Sequence, residues 1–326
     1  LTAYTQDVVT TTYNAMCHAA EDLQTAVTTL QADPSDVNVA AARDAWLAVR
    51  EPWERSEAFL FGPVESNGVD PAVDSWPLDL SAVSSGLASG GTYGLTNPET
   101  KGFHAIEYAL WAITGTKNDS AANVAANLAL DSDKTRNLGT IVSDMVKRAR
   151  IVSNAWVTSY GGGFIKSGNG GNHVSQKSAL QEMIEAMAGI ADEVGTGKIG
   201  GPVNGTGDDP ENDVESQFSF NSITDFHNNI LGIKIAYLGE YADTPTQQSG
   251  SLSALVADSD VDLDGAVVAA INDAIAKIDL ISVSDFHDGD PAGATGGAAA
   301  ITALGTLADL LNGDLKDFLD TVAFSH

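Results

Sequence analysis

The sequence has one cysteine, Cys17, and only 16 lysines and arginines against 44 aspartates and glutamates. A lone thiol permits no internal disulfide. The net charge of −28 argues against nucleic acid or an anionic membrane surface as partner, because both are held by Lys/Arg clusters. No apolar run approaches the roughly 18 residues that would span a bilayer. Strand-like alternation with a period of two is also missing beyond a few residues. What is present in quantity is apolar content, at 43%, enough to fill globular cores. The acidic excess serves solubility and concentrates cations.

At 326 residues the chain exceeds the usual size of one core, so two domains are expected. It begins at Leu1, which leads us to expect a mature or trimmed form. Any signal peptide or lipid anchor would then have been removed, leaving that lost anchor as the only membrane contact.

Apolar residues recur at helical spacing over residues 3–30, and Cys17 falls among them as a small core residue. Asp33-Pro34-Ser35-Asp36 reads as a stop and a cap before a second helix toward Phe61, with a kink or restart expected near Glu51 because of Pro52. Residues 62–101 read as a long irregular excursion, unusual unless functional. Further helices are expected over 102–115, 134–160, 175–194, 223–241, 263–280 and 298–322. Gly161-Gly162-Gly163 and the Gly/Asn-rich run after it read as a linker. The expected architecture is therefore all-α, with helical bundles at 1–165 and 166–326 packed side by side and a cleft between them. Residues 205–213 read as an acidic, glycine-rich loop. Asp260-Val261-Asp262-Leu263-Asp264-Gly265 resembles the start of a calcium loop but has Ile271 where a bidentate Glu is needed, so it reads as an acidic helix start.

The chemistry centres on Gly102-Phe103-His104-Ala105-Ile106-Glu107. On a helix, His104 and Glu107 share one face, with Cβ atoms about 5–6 Å apart. Their neighbours are apolar, and burying them without partners would cost several kcal/mol. A third group, Glu57, lies on a helix stripe with Trp46, Arg50 and Trp53. Carboxylate and imidazole groups facing inward from different helices are how bundles build metal sites, and this set suits Fe, Zn or Mn. The HxxE spacing lacks the second histidine of the HExxH zinc-protease helix.

These residues, the run Ala45–Pro63 around Arg50 and Glu57, and Ser75-Trp76-Pro77-Leu78-Asp79 together resemble the blocks of imelysin-like proteins. Glu215-Ser216-Gln217-Phe218-Ser219-Phe220-Asn221-Ser222, followed by Asp225, resembles another block of that family. The blocks appear in family order and span about residues 43–241. The resemblance implies two bundle-like domains, an envelope location in Gram-negative bacteria, often as a lipoprotein, and a link to iron uptake, with other envelope iron-uptake proteins as partners. It also implies a metallopeptidase label. Carried over by position, His104 and Glu107 match the signature, while Glu57, Arg50, Ser219 and Asp225 match the other blocks. Trp53 and Asp79 complete the cleft candidates.

Three readings follow. The first is binding of iron, another metal or an iron-bearing ligand in the periplasm or at the cell surface. The second is peptide hydrolysis by metal-bound water. The third is a structural or recognition module in which His104 and Glu107 brace a helix.

Overall fold

The computed structural model describes residues 1–206, 213–287 and 291–324, and it is helical with no strand among them. Most of the acidic loop read at 205–213, residues 207–212, lies outside the described residues. A wide π-type turn at Tyr4–Val9 leads into α1 (Thr10–Ala32), which buries Tyr13, Met16, Ala20, Leu23, Val27 and Leu30. These are the three- and four-residue steps of one helix face. Cys17 is half-buried at its edge.

Helix α2 (Asp36–Ser56) runs through Pro52 without the restart expected near Glu51. The missing N–H falls one turn from the helix end, and the buried side chains of Arg50, Trp53 and Glu54 fix the backbone around it. The excursion over 62–101 is also more ordered than expected. It contains the helical turns Pro63–Ser66, α3 (Asp70–Val73), Leu80–Leu87 and Pro98–Thr100. Helix α4 (Gly102–Trp111) follows, completely buried, and ends short of Gly115. The long α5 (Ser132–Ala155) closes the first bundle against α1 and α4.

The three glycines read as a linker instead extend α5, through a π-type turn at Trp156–Tyr160 and a short helix at Gly161–Ile165. Gly161 and Gly163 serve close packing, while a Cβ on Gly162 would meet nothing within 4 Å. A Cβ on Gly161 would stand 2.4 Å from the Trp156 carbonyl oxygen, and one on Gly171 would stand 2.2 Å from that of Gly163. The following segment folds back, with the Asn172 N–H donating to the Gly163 carbonyl at 2.9 Å.

The second bundle comprises α6 (Gln176–Asp192), α7 (Ser222–Leu238), α8 (Val261–Ile278) and α9 (Gly297–Leu310). Ser175 and Ser178 form a capping box at the start of α6. Asp260 accepts from the Leu263 N–H at 3.0 Å, so the acidic run there is a helix cap. The bundles join where α7 crosses α2. A Cβ on Gly232 would lie 2.3 Å from the Arg55 carbonyl oxygen, so the crossing requires glycine. One apolar cluster continues through both bundles. No helix of the described residues is long and apolar enough to cross a membrane.

Candidate functional site

Gly102 has φ of +75°, and a Cβ there would lie 2.1 Å from the Val73 carbonyl oxygen. Only glycine lets α4 start against the end of α3. That approach delivers Asp74, the residue after α3, to His104. The His104 Nε2 stands 3.1 Å from Asp74 Oδ1 and 3.9 Å from Glu215 Oε1, while its Nδ1 faces Glu107 Oε2 at 3.3 Å. The Trp76 ring lies against the imidazole at 4.5 Å between centroids.

Glu107 is held from the second bundle. Its Oε1 accepts from the backbone N–H of Phe218 at 2.9 Å and of Ser219 at 2.7 Å, and from the Ser219 hydroxyl at 2.7 Å. The loop achieves this with Ser216 and Phe220 in the left-handed region, at φ of +47° and +63°. Non-glycine residues rarely adopt that conformation and are held there by surrounding structure.

Arg50 is the hub of the network. It is fully buried and pairs with Glu54 at 2.7 Å, Glu215 at 2.5 Å and Asp225 at 3.3 Å, and also with Asp74. Its guanidinium lies 4.9 Å from the centre of the Phe103 ring. Trp53 donates to the other Asp74 oxygen at 2.5 Å. Lys198, on the π-type turn Glu193–Ile199 that continues α6, bridges Glu57 at 2.8 Å and Glu215 at 3.2 Å. From α7, Asn229 donates to Glu54 Oε2 at 2.6 Å and Glu57 Oε2 at 3.0 Å. Ser216 and Asn221 donate to the two oxygens of Asp225.

This burial divides the carboxylates. It pushes Glu54 and Glu57 well above the ordinary carboxylate range, and raises Asp225 to about 6 despite Arg50. Burial acts the same way on Asp74 and Glu215 but is outweighed: Arg50 and His104 hold Asp74 well below the usual range, and Lys198 and Arg50 lower Glu215. Burial opposes the charge on His104, yet its hydrogen bonds to Asp74 and Glu107 raise it to about 9. Burial likewise opposes Arg50 and Lys198, and their carboxylate partners raise both.

Above this network opens a cleft of about 360 Å³ between the bundles. Six acidic residues line it, Glu57, Asp70, Asp74, Glu193, Asp213 and Glu215, with Lys198 as the basic residue among the described lining and Leu60, Trp76 and Pro77 as apolar wall. Asp74, Glu57 and Glu215 thus belong to both the network and the cleft floor.

Of the residues singled out by sequence, His104, Glu107, Arg50, Trp53, Glu57, Ser219 and Asp225 meet in this network. Glu107 is turned to the Phe218–Ser219 backbone and Glu57 to Lys198 and Asn229. Asp79 does other work, capping the Leu80–Leu87 helix by accepting from the Ala82 N–H at 2.9 Å. Sequence reasoning missed Asp74 and Lys198, and it included Glu54, Glu215 and Asn229 within the family-like blocks without naming them as site residues. Asp74 sits one residue before the Ser75–Asp79 block, and Glu54 and Asn229 lie on helices already implicated. Lys198 sits in a glycine-rich stretch that carries no signal.

Two donor groups come close enough to suggest a directly bound metal. Ligand atoms of Asp74, His104 and Glu215, and of Glu54, Glu57 and Asp74, lie within 4.8 Å of one another. The lone pairs are committed, however. Arg50 occupies the Asp74 and Glu215 oxygens that face His104, and both imidazole nitrogens face carboxylates. As arranged, these residues do not fit a bare ion ligated by His104.

The fold and site together define an all-α protein of two bundles, with a buried and internally paired acid–histidine network beneath an acidic cleft. The chain belongs to the imelysin family, whose profile matches residues 9–311. It is 29% identical over 246 residues to iron-regulated protein A of Synechococcus elongatus, covering 74% of this chain; the match spans 64% of the length of that relative. A crystal structure described as an iron-regulated protein A precursor from Parabacteroides distasonis superposes with a TM-score of 0.83 at 29% identity, covering 97% of this chain and 93% of that one. An imelysin-like protein from Psychrobacter arcticum gives 0.75 at 16% identity, with the same coverage, a likeness of fold.

Proposed function

We propose that this protein is an envelope protein of iron uptake that binds iron, as an ion or within an iron-bearing ligand, in the acidic cleft over His104. The observation that carries the reading is the cleft itself, where six carboxyl side chains face one lysine. Such a wall of one sign focuses field lines and raises the local concentration of cations. The iron-regulated protein A relatives support the link to iron, and the family resemblance supports placement in the periplasm or at the cell surface. Glu57 belongs to the cleft floor, which His104 and Glu107 help hold in place. The other envelope iron-uptake proteins remain the natural partners of such a binder.

Peptide hydrolysis would require a carboxylate free to act as base near the reacting water. Glu107 Oε1 already takes three donors, and Glu57 is held by Lys198 and Asn229. No specific observation favours that reading. The test of the binding function is equilibrium dialysis of the metal-stripped protein against Fe(II), Fe(III) and Zn(II). One tightly retained iron per chain is expected, and no retention of any of them above a serum-protein control would contradict the reading.

A further inference from the structure

The cleft separates its carboxylates into two kinds. On the floor, Asp74, Glu57 and Glu215 are paired to Arg50, Lys198 and Asn229. On the wall, Asp70 and Glu193 have no hydrogen-bond or ion-pair partner for their side chains among the described residues, yet they face one another across the same space. Their mutual repulsion, with Asp74 and Glu215 close by, is only partly offset by Lys198 among the described residues. The space is also large. Six waters occupy roughly 180 Å³ at about 30 Å³ each, so 360 Å³ holds an ion together with a complete ligand shell. A naked ion would leave most of that volume unfilled and would have to displace Arg50 to reach His104.

We infer that the cleft binds its cation by the outer sphere, taking a multivalent metal complex with its own water or chelator shell intact. This rests on the iron-binding reading above and names the form in which the metal is held. The shell's O–H or N–H groups donate to the carboxylates of Asp70 and Glu193, and the Trp76 edge and Leu60 close the apolar side of the space. Charge-assisted hydrogen bonds of this kind are stronger than neutral ones. The Arg50–His104–Glu107 network then acts as a rigid floor that keeps Asp74 and Glu215 facing the cleft and does not exchange ligands with the metal. Asp70 in its protonated state would weaken the site, and burial together with Asp74 and Glu193 raises its carboxyl to about 6, so binding should strengthen above that pH.

Hexaamminecobalt(III), whose ammonia ligands do not exchange on the timescale of titration, is the discriminating probe. Calorimetric titration into the full chain at physiological ionic strength should give one saturable site. Glu193→Gln, which alters an exposed side chain and leaves folding intact, should weaken it about tenfold or more. Asp70→Asn should do the same, whereas Asp262→Asn, an exposed acid on α8, should leave it unchanged. If hexaamminecobalt(III) does not bind while Fe(II) does and loses affinity in His104→Gln, the ion is held directly; the inference falls and the iron-binding function stands. Equal binding by wild type and both cleft variants would mean only diffuse attraction to the acidic surface and would also overturn it. If neither the cobalt complex nor either iron ion binds, both readings fail.

Discussion

Replacing Arg50 with methionine tests whether the network is closed by an internal cation. Methionine keeps most of the side chain's length but removes a charge that four buried carboxyl groups share. Breaking one partner of a buried ion pair commonly costs about 3–5 kcal/mol, because the other charge is left uncompensated. Here Asp74 and Glu215 lose a cation they share but keep His104 and Lys198, so about 3–5 kcal/mol at neutral pH is expected, a large share of the 5–15 kcal/mol typical of a whole domain. The pH dependence follows from Asp74 and Glu215, whose folded values lie below the ordinary carboxylate range. A depressed carboxyl contributes stability above its unfolded pKa and loses it as pH falls through the folded value. In Arg50→Met that contribution shrinks to what His104 and Lys198 still supply, and the buried carboxyls take up protons more readily. The deficit should therefore be largest near pH 7–8 and shrink toward pH 4. Urea denaturation at several pH values measures it. A deficit below about 1 kcal/mol at pH 7.5, or one that does not vary with pH, would refute the closed network.

Gly102→Ala must place a Cβ 2.1 Å from the Val73 carbonyl oxygen at φ of +75°; about 3 kcal/mol of destabilisation is expected from strain and clash together, and a loss under 1 kcal/mol by denaturation would contradict the packing described. The His104 ring should remain doubly protonated at pH 7.5 and titrate at about 9; its contribution to stability is then full below the unfolded value near 6.5 and lost as pH rises through 9. Nitrogen-edited NMR of the ring reads this directly, and a neutral ring at pH 7.5 would contradict it. Asp70, raised to about 6 by burial and by its acidic neighbours, costs the empty protein stability as pH rises from about 4 to 6. Asp70→Asn should therefore melt higher than wild type at pH 7.5 and match it at pH 4, while binding cations less well. A lower melting temperature at pH 7.5 would show that the carboxylate is not under repulsion.

Much of this was legible beforehand. The helices announce themselves by apolar spacing, as with Tyr13 to Leu30 on α1, because a helix buries one face regardless of what it packs against. Gly102, His104, Glu107, Arg50 and Asp225 stand in blocks that point to one site. The failures have a common cause, which is that local composition does not report tertiary contact. Gly161–Gly163 has the composition of a linker but is helical, with Gly161 and Gly163 closely packed. Residues 62–101 read as loop because their helical turns are too short to show periodicity, yet that stretch delivers Asp74 and Trp76. The pairing of His104 with Glu107 on one helix face suggested a ligand pair. The deciding facts were the Phe218–Ser219 backbone on Glu107 and Arg50 on Asp74, contacts more than a hundred residues and 24 residues apart in sequence. Lys198 had no signal at all.

The most direct test of the account is where iron sits. Crystals soaked in an iron salt or a ferric chelate, measured on both sides of the iron absorption edge, should show one strong anomalous peak in the cleft between Trp76, Asp70 and Glu193, with the Arg50–Asp74–His104 network unbroken beneath it. Peaks confined to the outer acidic surface, with the cleft holding none, would contradict the central claim.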